Sequence, residues 1–144
     1  MTIPRARRCG PIRTSSAGHW ALLGFGYWAI EEKATGAFVG EIGFADFKRD
    51  LDPALRGIPE GGWVVTRAQH GKGFGTEAAR AIVAWSDMRA VEETICLVDP
   101  RNAASIRLAE KCGYREARRL EANGLPTILF VRPCAHGPAL GPTA

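Results

Sequence analysis

Three glycines lie within five residues in segment 70–76, where a strand-like run gives way to a helical one. Gly71, Gly73 and Gly75 lack a Cβ, so the backbone can adopt positive φ and bring its N–H groups close to a ligand. From Phe74 onward, apolar residues recur at three- and four-residue spacing, which predicts an amphipathic helix that starts on this loop. Its unpaired first-turn N–H groups and the positive end of its dipole would converge on one point. The segment therefore predicts a binding site for a diphosphate group.

Two common phosphate-binding loops do not fit this segment. A Walker A loop requires Ser or Thr directly after its Gly-Lys pair, whereas Lys72 is followed by Gly73. A dinucleotide fingerprint, Gly-x-Gly-x-x-Gly, requires glycine where Thr76 stands. Nucleoside triphosphate hydrolysis and Rossmann-type dinucleotide binding are therefore disfavoured.

The segment resembles the acyl-CoA loop of the GNAT superfamily of N-acyltransferases, whose pattern is Arg or Gln, two residues, Gly, any residue, then Gly or Ala. Here His70 stands in the Arg/Gln position, and 74–78 continues as in the branch resembling ribosomal-protein N-terminal acetyltransferases. Segment 99–114 is similar to that branch's later motif, in which Asn102 would cap a short helix and Gly113 would end it. Either segment alone also fits an ordinary helix entry or cap, but the two together favour the resemblance.

The resemblance covers roughly 27–132 and implies a GNAT-like α/β fold, with a mixed, mostly antiparallel central sheet flanked by helices. It also implies acetyl-CoA as the acyl donor and no metal. The pyrophosphate would lie on the glycine loop, and the pantetheine would pair with the strand before it. The cosubstrate-binding residues implied in this way are Val64, Val65, Thr66, His70, Gly71, Lys72, Gly73, Phe74, Gly75, Thr76, Asn102 and Ser105.

The chemistry implied by the resemblance is direct attack of a neutral amine on the thioester, with no covalent enzyme intermediate. Many GNAT enzymes protonate the departing thiolate with a Tyr seven residues after the motif Asn, but this chain has Ala109 there. Ser105 is therefore the candidate proton donor. Glu41 and Glu60 are the candidate bases, acting directly or through water, and Asp46 is a weaker one.

The flanking sequence predicts the elements that position these residues. Turn and strand patterns predict two hairpins, one that joins 25–32 to 37–47 and one that joins 114–121 to 125–132. They also predict two further strands, at 63–66 and 94–98. The second hairpin turns at Asn123-Gly124. The loop 48–62 either contacts a substrate or has no role in binding.

The N-terminus is where the resemblance is weakest. We predict a flexible basic arm at 1–16, a single GNAT-like domain at 17–134 and a flexible tail at 135–144. A GNAT-like domain normally opens with a strand and one or two helices, and only 17–23 offers the remnant of a helix. The missing elements would leave the strand at Tyr27 as an exposed sheet edge, which a second subunit of a homodimer could cover.

Composition sets the remaining limits. The chain has 144 residues, 46% of them hydrophobic, which suits one globular domain, and no run is long enough to span a membrane. Its net charge of +4 matches the four arginines of the arm, Arg5, Arg7, Arg8 and Arg13, and we infer no nucleic-acid partner. The four cysteines form no C-x-x-C pair, so we expect reduced thiols and a cytoplasmic location.

The leading hypothesis is thus an N-acetyltransferase that moves an acetyl group from acetyl-CoA to a primary amine, either a protein N-terminus or a small amine. The alternative is a non-catalytic CoA-binding or assembly protein derived from a truncated acetyltransferase. A third hypothesis is a structural fragment that folds only with a partner.

Overall fold

A computed structural model describes residues 13–15, 17–47 and 50–135 of the chain. The described strands are β1 (Arg13–Ser15), β2 (Tyr27–Glu31), β3 (Phe38–Ala45), β4 (Glu60–Val65), β5 (Glu93–Val98), β6 (Arg115–Ala122) and β7 (Leu125–Pro133). The described helices are α1 (Ala17–Leu23), α2 (Phe74–Met88) and α3 (Ala103–Lys111). Short 3₁₀ turns at Pro53–Leu55 and Arg67–Gln69 flank β4. No helix in the described ranges is long and apolar enough to cross a membrane.

The strands form one sheet in the order β1-β2-β3-β4-β5-β7-β6. All neighbouring pairs are antiparallel except β4 and β5, which are parallel. Asn123 and Gly124 both have positive φ, as a tight turn between β6 and β7 requires. The predicted GNAT-like α/β fold is therefore confirmed, as are both hairpins.

The two parallel strands are joined only where they begin. Glu60 pairs with Ile95, and the Ile95 N–H donates to the Pro59 carbonyl at 3.0 Å. No further residues of the two strands pair, although the strands continue to Val65 and Val98. β4 and β5 thus diverge toward their C-terminal ends, and we term the gap between them the fork.

One face of the sheet, termed the helix face, carries the helices and the core. The Trp85 ring of α2 lies 5.0 Å from the Trp28 ring of β2 and 6.3 Å from the Phe44 ring of β3. The Trp20 ring of α1 lies 4.6 Å from that of Trp28. Cys96 of β5 belongs to the same buried cluster. Because strand side chains alternate, the residues between these point to the opposite side, termed the outer face.

The N-terminal part corrects the expectation of an exposed edge. β1 pairs with β2 in antiparallel register, so the edge beside Tyr27 is covered by the chain itself and that prediction is wrong. The residues of β1 lie inside 1–16, the segment predicted as a flexible arm, whose other residues are outside the described ranges. A strand and a helix therefore precede β2 after all, in short form. The homodimer stays a prediction without this edge to support it.

Candidate functional site

The glycine loop lies between β4 and α2. Gly73 is the N-cap of α2 with φ +83°, and Gly71 has φ +74°. A residue with a side chain would be strained by about 1–2 kcal/mol in this left-handed region, so both positions favour glycine. Gly75 has a different role: a Cβ added there would lie 3.1 Å from Leu108 Cδ1 and 3.5 Å from Val65 Cγ2. Gly75 thus lets α2 approach α3 and β4 closely.

The N-terminus of α2 is well suited to an anion. Gly73 has no side chain, so it cannot cap the N–H groups of the first turn as Ser or Asp would. The first turn of this fifteen-residue helix lines a groove between β4, α2 and α3, so its N–H groups and the positive end of its dipole lie beside that groove.

The second motif forms the opposite side of the groove. Asn102 is the N-cap of α3, and its Oδ1 accepts the Ser105 N–H at 3.0 Å, which confirms the predicted cap. Ser105 Oγ accepts a hydrogen bond from Trp63 Nε1 at 3.2 Å. A hydroxyl that accepts one bond still has its own hydrogen to donate. The contact therefore fixes the Ser105 oxygen at the groove and leaves it able to act as a proton donor.

The groove between β4, α2 and α3 has a volume of about 660 Å³, which falls within the usual range of ligand sites. All the predicted cosubstrate-binding residues line it except Thr66 and Lys72. Lys72 bonds to Gln69 Oε1 at 3.0 Å. Residues that sequence reasoning missed also line it, namely Trp63, Gln69, Ala104, Arg107, Leu108 and Lys111.

Two of the missed residues bring positive charge to the groove. Arg107 and Lys111 lie one turn apart on α3, so they share a face of that helix. Their spacing after Asn102 could have been read from the sequence, because residues four apart fall on one face of the helix that Asn102 caps. Guanidinium and ammonium groups at this place suit the phosphates of CoA.

The edge of β4 that faces the fork has backbone N–H groups that do not pair with β5. The Thr66 N–H donates to the Val39 carbonyl at 2.8 Å, so this group is engaged with β3. Because antiparallel hydrogen bonds alternate along a strand, the N–H groups of Trp63 and Val65 point the other way, into the fork. His70 Nε2 lies 2.7 Å from the Val65 carbonyl oxygen, which can only accept, so Nε2 carries the hydrogen of this bond. The strand-like pairing predicted for 64–66 therefore shifts to Trp63 and Val65.

The two predicted glutamate bases lie outside this groove. Glu41 of β3 pairs with Val64 and is exposed on the outer face. Glu60 is only 8% exposed and stands where β4 and β5 part. Glu60 lines a second cavity of about 530 Å³ on the outer face, and Asp46 lines the same cavity.

The buried titratable groups near the site stay protonated. Burial raises the pKa of the Cys96 thiol, and the negative charge of Glu60 raises it further. Burial likewise raises the pKa of Cys112. It also raises the pKa of Tyr114, whose hydroxyl lies 2.8 Å from Thr94 Oγ1 in the core. None of these groups is therefore available as a nucleophile or a neutral-pH acid.

Outside the groove, the Arg101 side chain and N–H hold the pKa of Asp99 at about 2. This ion pair tightens the turn before α3. Among the described residues, no group of three or more His, Cys, Asp and Glu side chains is placed to hold a metal ion.

Comparison with known proteins identifies relatives over most of the chain. Residues 4–115 match the family described as "Acetyltransferase (GNAT) domain". The chain is 31% identical over 110 residues to the uncharacterized protein YkkB of Bacillus subtilis (strain 168), covering 76% of this chain and 62% of that protein. It therefore spans less than two thirds of that curated relative.

Two solved structures extend the comparison. A putative GnaT-family acetyltransferase from Bordetella pertussis superposes with a TM-score of 0.75 at 29% identity, covering 81% of this chain and 70% of that one. YncA, a putative acetyltransferase from Salmonella typhimurium solved with its cofactor acetyl-CoA, has a TM-score of 0.67 at 21% identity. That match covers 85% of this chain and 72% of the other.

Proposed function

The chain belongs to the GNAT acetyltransferase family, and from this premise we propose that it transfers the acetyl group of acetyl-CoA to a primary amine. The acceptor is a protein N-terminus or a small amine. The observation that carries the proposal is a single groove lined by the uncapped start of α2, two cations of α3 and the open edge of β4. Acetyl-CoA is the ligand that uses all three features at once.

Each part of the groove fits one part of the cosubstrate. The N–H groups around Gly71, Gly73 and the first turn of α2 would hold the pyrophosphate. Arg107 and Lys111 would pair with phosphate oxygens. The Trp63 and Val65 N–H groups would bond to the pantetheine arm or the thioester oxygen, along an edge that β5 leaves unpaired.

When bound, acetyl-CoA supplies a thioester carbon to which the amine nitrogen bonds as the C–S bond breaks and CoA leaves as thiolate. Glu60 accepts the proton that the attacking nitrogen loses, directly or through one water. The Ser105 hydroxyl, held by Trp63, donates a proton to the thiolate and takes one up from water. Glu60 is preferred to Glu41 because β4 borders the fork, whereas β3 lies one strand further away.

A non-catalytic CoA-binding protein is the second candidate, and Ala109 favours it. Ala109 occupies the position where the resemblance implies a tyrosine acid, and it is 0% exposed in the core. No side chain of that size fits there without repacking. Catalysis then depends on Ser105 or on another donor.

We place the reaction in the cytoplasm in this proposal. The described cysteines, Cys96, Cys112 and Cys134, are free thiols, as expected in a reducing compartment.

The test is acetylation of a panel of small amines and short peptides, with product detection by mass spectrometry. We expect acetylated product with the parent chain, and a loss of about 10²- to 10⁴-fold in kcat/KM for Glu60→Gln. Glu41→Gln serves as the matched control and should lose far less. Tight acetyl-CoA binding with no product from any amine would contradict the proposed acetyl transfer and support the non-catalytic CoA-binding protein.

A further inference from the structure

Three residues of β4 lie on the outer face at the fork, and the middle one is a glycine. Gly61 points to the helix face, where an added Cβ would lie 3.1 Å from the Tyr114 hydroxyl and 3.4 Å from Phe44 Cε1. Its neighbours on β4 therefore point outward. Along the fork, the outer face of β4 thus presents Glu60, Gly62 and Val64 in that order.

A tyrosine from two strands away reaches this row. Tyr27 of β2 pairs with Gly43 of β3, which pairs with Gly62 of β4, so the three residues form a line across the outer face. A Cβ added at Gly62 would lie 2.1 Å from the Tyr27 hydroxyl oxygen. A Cβ at Gly43 would lie 2.5 Å from Tyr27 Cα. The two glycines leave a lane on which the phenol lies, and this lane brings its hydroxyl over β4 beside the fork.

Glu60 and the Tyr27 hydroxyl are therefore neighbours on one face. Glu60 and Gly62 are two residues apart on one strand, which is about 7 Å. A carboxylate and a phenol at this spacing can receive one ammonium group between them, the carboxylate by charge and the phenol oxygen as an acceptor.

The cavity on the outer face continues from Glu60 under the loop between β3 and β4. Its volume is about 530 Å³, and its walls are mainly apolar. Besides Glu60, the lining includes the apolar side chains of Leu51, Leu55, Ile58, Ile95 and Leu97. This part of the loop is held in place, because Asp52 accepts the Ala54 N–H at 2.8 Å and forms an ion pair with Arg118 of β6. The cavity is thus formed before any ligand binds.

We propose that this cavity binds the acceptor, a small primary amine that carries an apolar alkyl or aryl arm; this inference rests on the proposed acetyl transfer. The arm lies against the leucine and isoleucine side chains, and the amino group meets Glu60 and the Tyr27 hydroxyl at the fork. Acetyl-CoA occupies the helix face, so the two reactants meet through the gap between β4 and β5. The bound ammonium first loses a proton to Glu60, which passes it to water, and the neutral amine attacks the thioester carbon. Glu60 accepts the second proton as the C–N bond forms, the C–S bond breaks and CoA leaves as thiolate.

The test compares ethylamine, butylamine and 2-phenylethylamine, by calorimetric binding to the CoA-loaded protein and by kcat/KM. We expect affinity to rise about fourfold for each methylene added between ethylamine and butylamine. Leu55→Trp fills the cavity, so it should flatten the series and leave acetyl-CoA affinity unchanged. A flat series in the parent chain, or a series that Leu55→Trp leaves intact, would overturn the proposal.

A second set of variants tests the hydroxyl. Tyr27→Phe removes it, and Gly62→Ala displaces it by a methyl group that only the far end of the Tyr27 side chain must avoid. Each variant should weaken butylamine binding about 2- to 10-fold, and the double variant should be no weaker than either single one. Butylamine binding that Tyr27→Phe leaves unchanged would show that the phenol does not contact the amine and would reject its role.

The outcomes separate this inference from the proposed function. Amines that bind in the expected order but are not acetylated would support the amine-binding cavity and contradict the proposed acetyl transfer. Acetylation at rates that do not depend on the apolar arm of the amine would support the proposed acetyl transfer and contradict binding of the arm in this cavity. Peptides with an N-terminal Phe that bind while 2-phenylethylamine does not would overturn the choice of a small amine.

Discussion

Replacing Gly71 by alanine tests whether the backbone of the glycine loop binds acetyl-CoA. Gly71 has φ +74°, and an added Cβ would meet no atom within 4 Å. The substitution therefore adds backbone strain of about 1–2 kcal/mol without a clash. If the free loop relaxes to remove this strain, its N–H groups turn away from the groove, and binding must restore them.

The expected loss follows from that strain. Restoring the strained loop costs the binding equilibrium up to about 1–2 kcal/mol, which is about 5- to 30-fold in Kd. If the unliganded loop relaxes, the folded protein no longer carries this strain, so the strain does not lower the free energy of unfolding. Gly71→Ala should therefore weaken acetyl-CoA binding more than it destabilises the fold.

Gly36 provides a matched control. It has φ +71° in the turn between β2 and β3, an added Cβ there also meets nothing within 4 Å, and it does not line the groove. Gly36→Ala should lower the free energy of unfolding by about 1 kcal/mol and leave the Kd unchanged. Calorimetry and urea unfolding measure both quantities. The reasoning is refuted if Gly71→Ala binds as the parent does and loses as much stability as Gly36→Ala.

Three further substitutions test other parts of the structure. Ser105→Ala keeps the backbone N–H that donates to Asn102, so α3 should persist. The loss of one proton donor should lower kcat at least about tenfold, while acetyl-CoA affinity should stay within about threefold of the parent value. Arg132 bonds to both carboxylate oxygens of Asp87 at 2.8 and 2.6 Å, with both side chains 11% exposed, so Arg132→Met should cost about 3 kcal/mol in urea unfolding. That pair lowers the pKa of Asp87, so its stabilisation is present above the unfolded pKa of about 3.9 and is lost as pH falls through the lower folded value; the acid limb of the parent's stability curve should be steeper there than the variant's. Ala90 follows the C-cap of α2 with φ +53°, and Ala90→Gly should raise the free energy of unfolding by about 0.5–1 kcal/mol, whereas an unchanged or lower value would show that the strain is absent.

The elements with local signals could be predicted from the sequence. The glycines before Phe74 and the apolar spacing after it place the start of α2, and Asn102 places the start of α3. Asn123-Gly124 places the turn between β6 and β7. Each of these depends on backbone geometry within a few residues, which a sequence shows directly.

The features that depend on distant contacts could not be predicted. The strand β1 exists because β2 offers an unpaired edge, and three residues carry no periodicity to read. The alternation that engages Thr66 with Val39 follows from the register of β3 against β4. The lane that brings Tyr27 to Gly62 also needs three strands in register, so no local pattern reveals it.

The predicted role of Gly75 also changed with the structure. The sequence groups Gly75 with Gly71 and Gly73 as a position where the missing Cβ lets the backbone adopt positive φ beside a ligand, but Gly75 is not among the glycines with positive φ. An added Cβ instead lies 3.1 Å from Leu108 Cδ1, so a larger side chain would disturb the packing of α2 on α3. Gly71 is for this reason the cleaner position at which to test binding.

The most direct test of the account is a calorimetric titration of acetyl-CoA into the purified chain, followed by a free-thiol assay with a mixed amine panel in the same sample. The account predicts micromolar binding and release of CoA thiol that depends on the amines. Absence of acetyl-CoA binding would contradict the assignment of the groove between β4, α2 and α3.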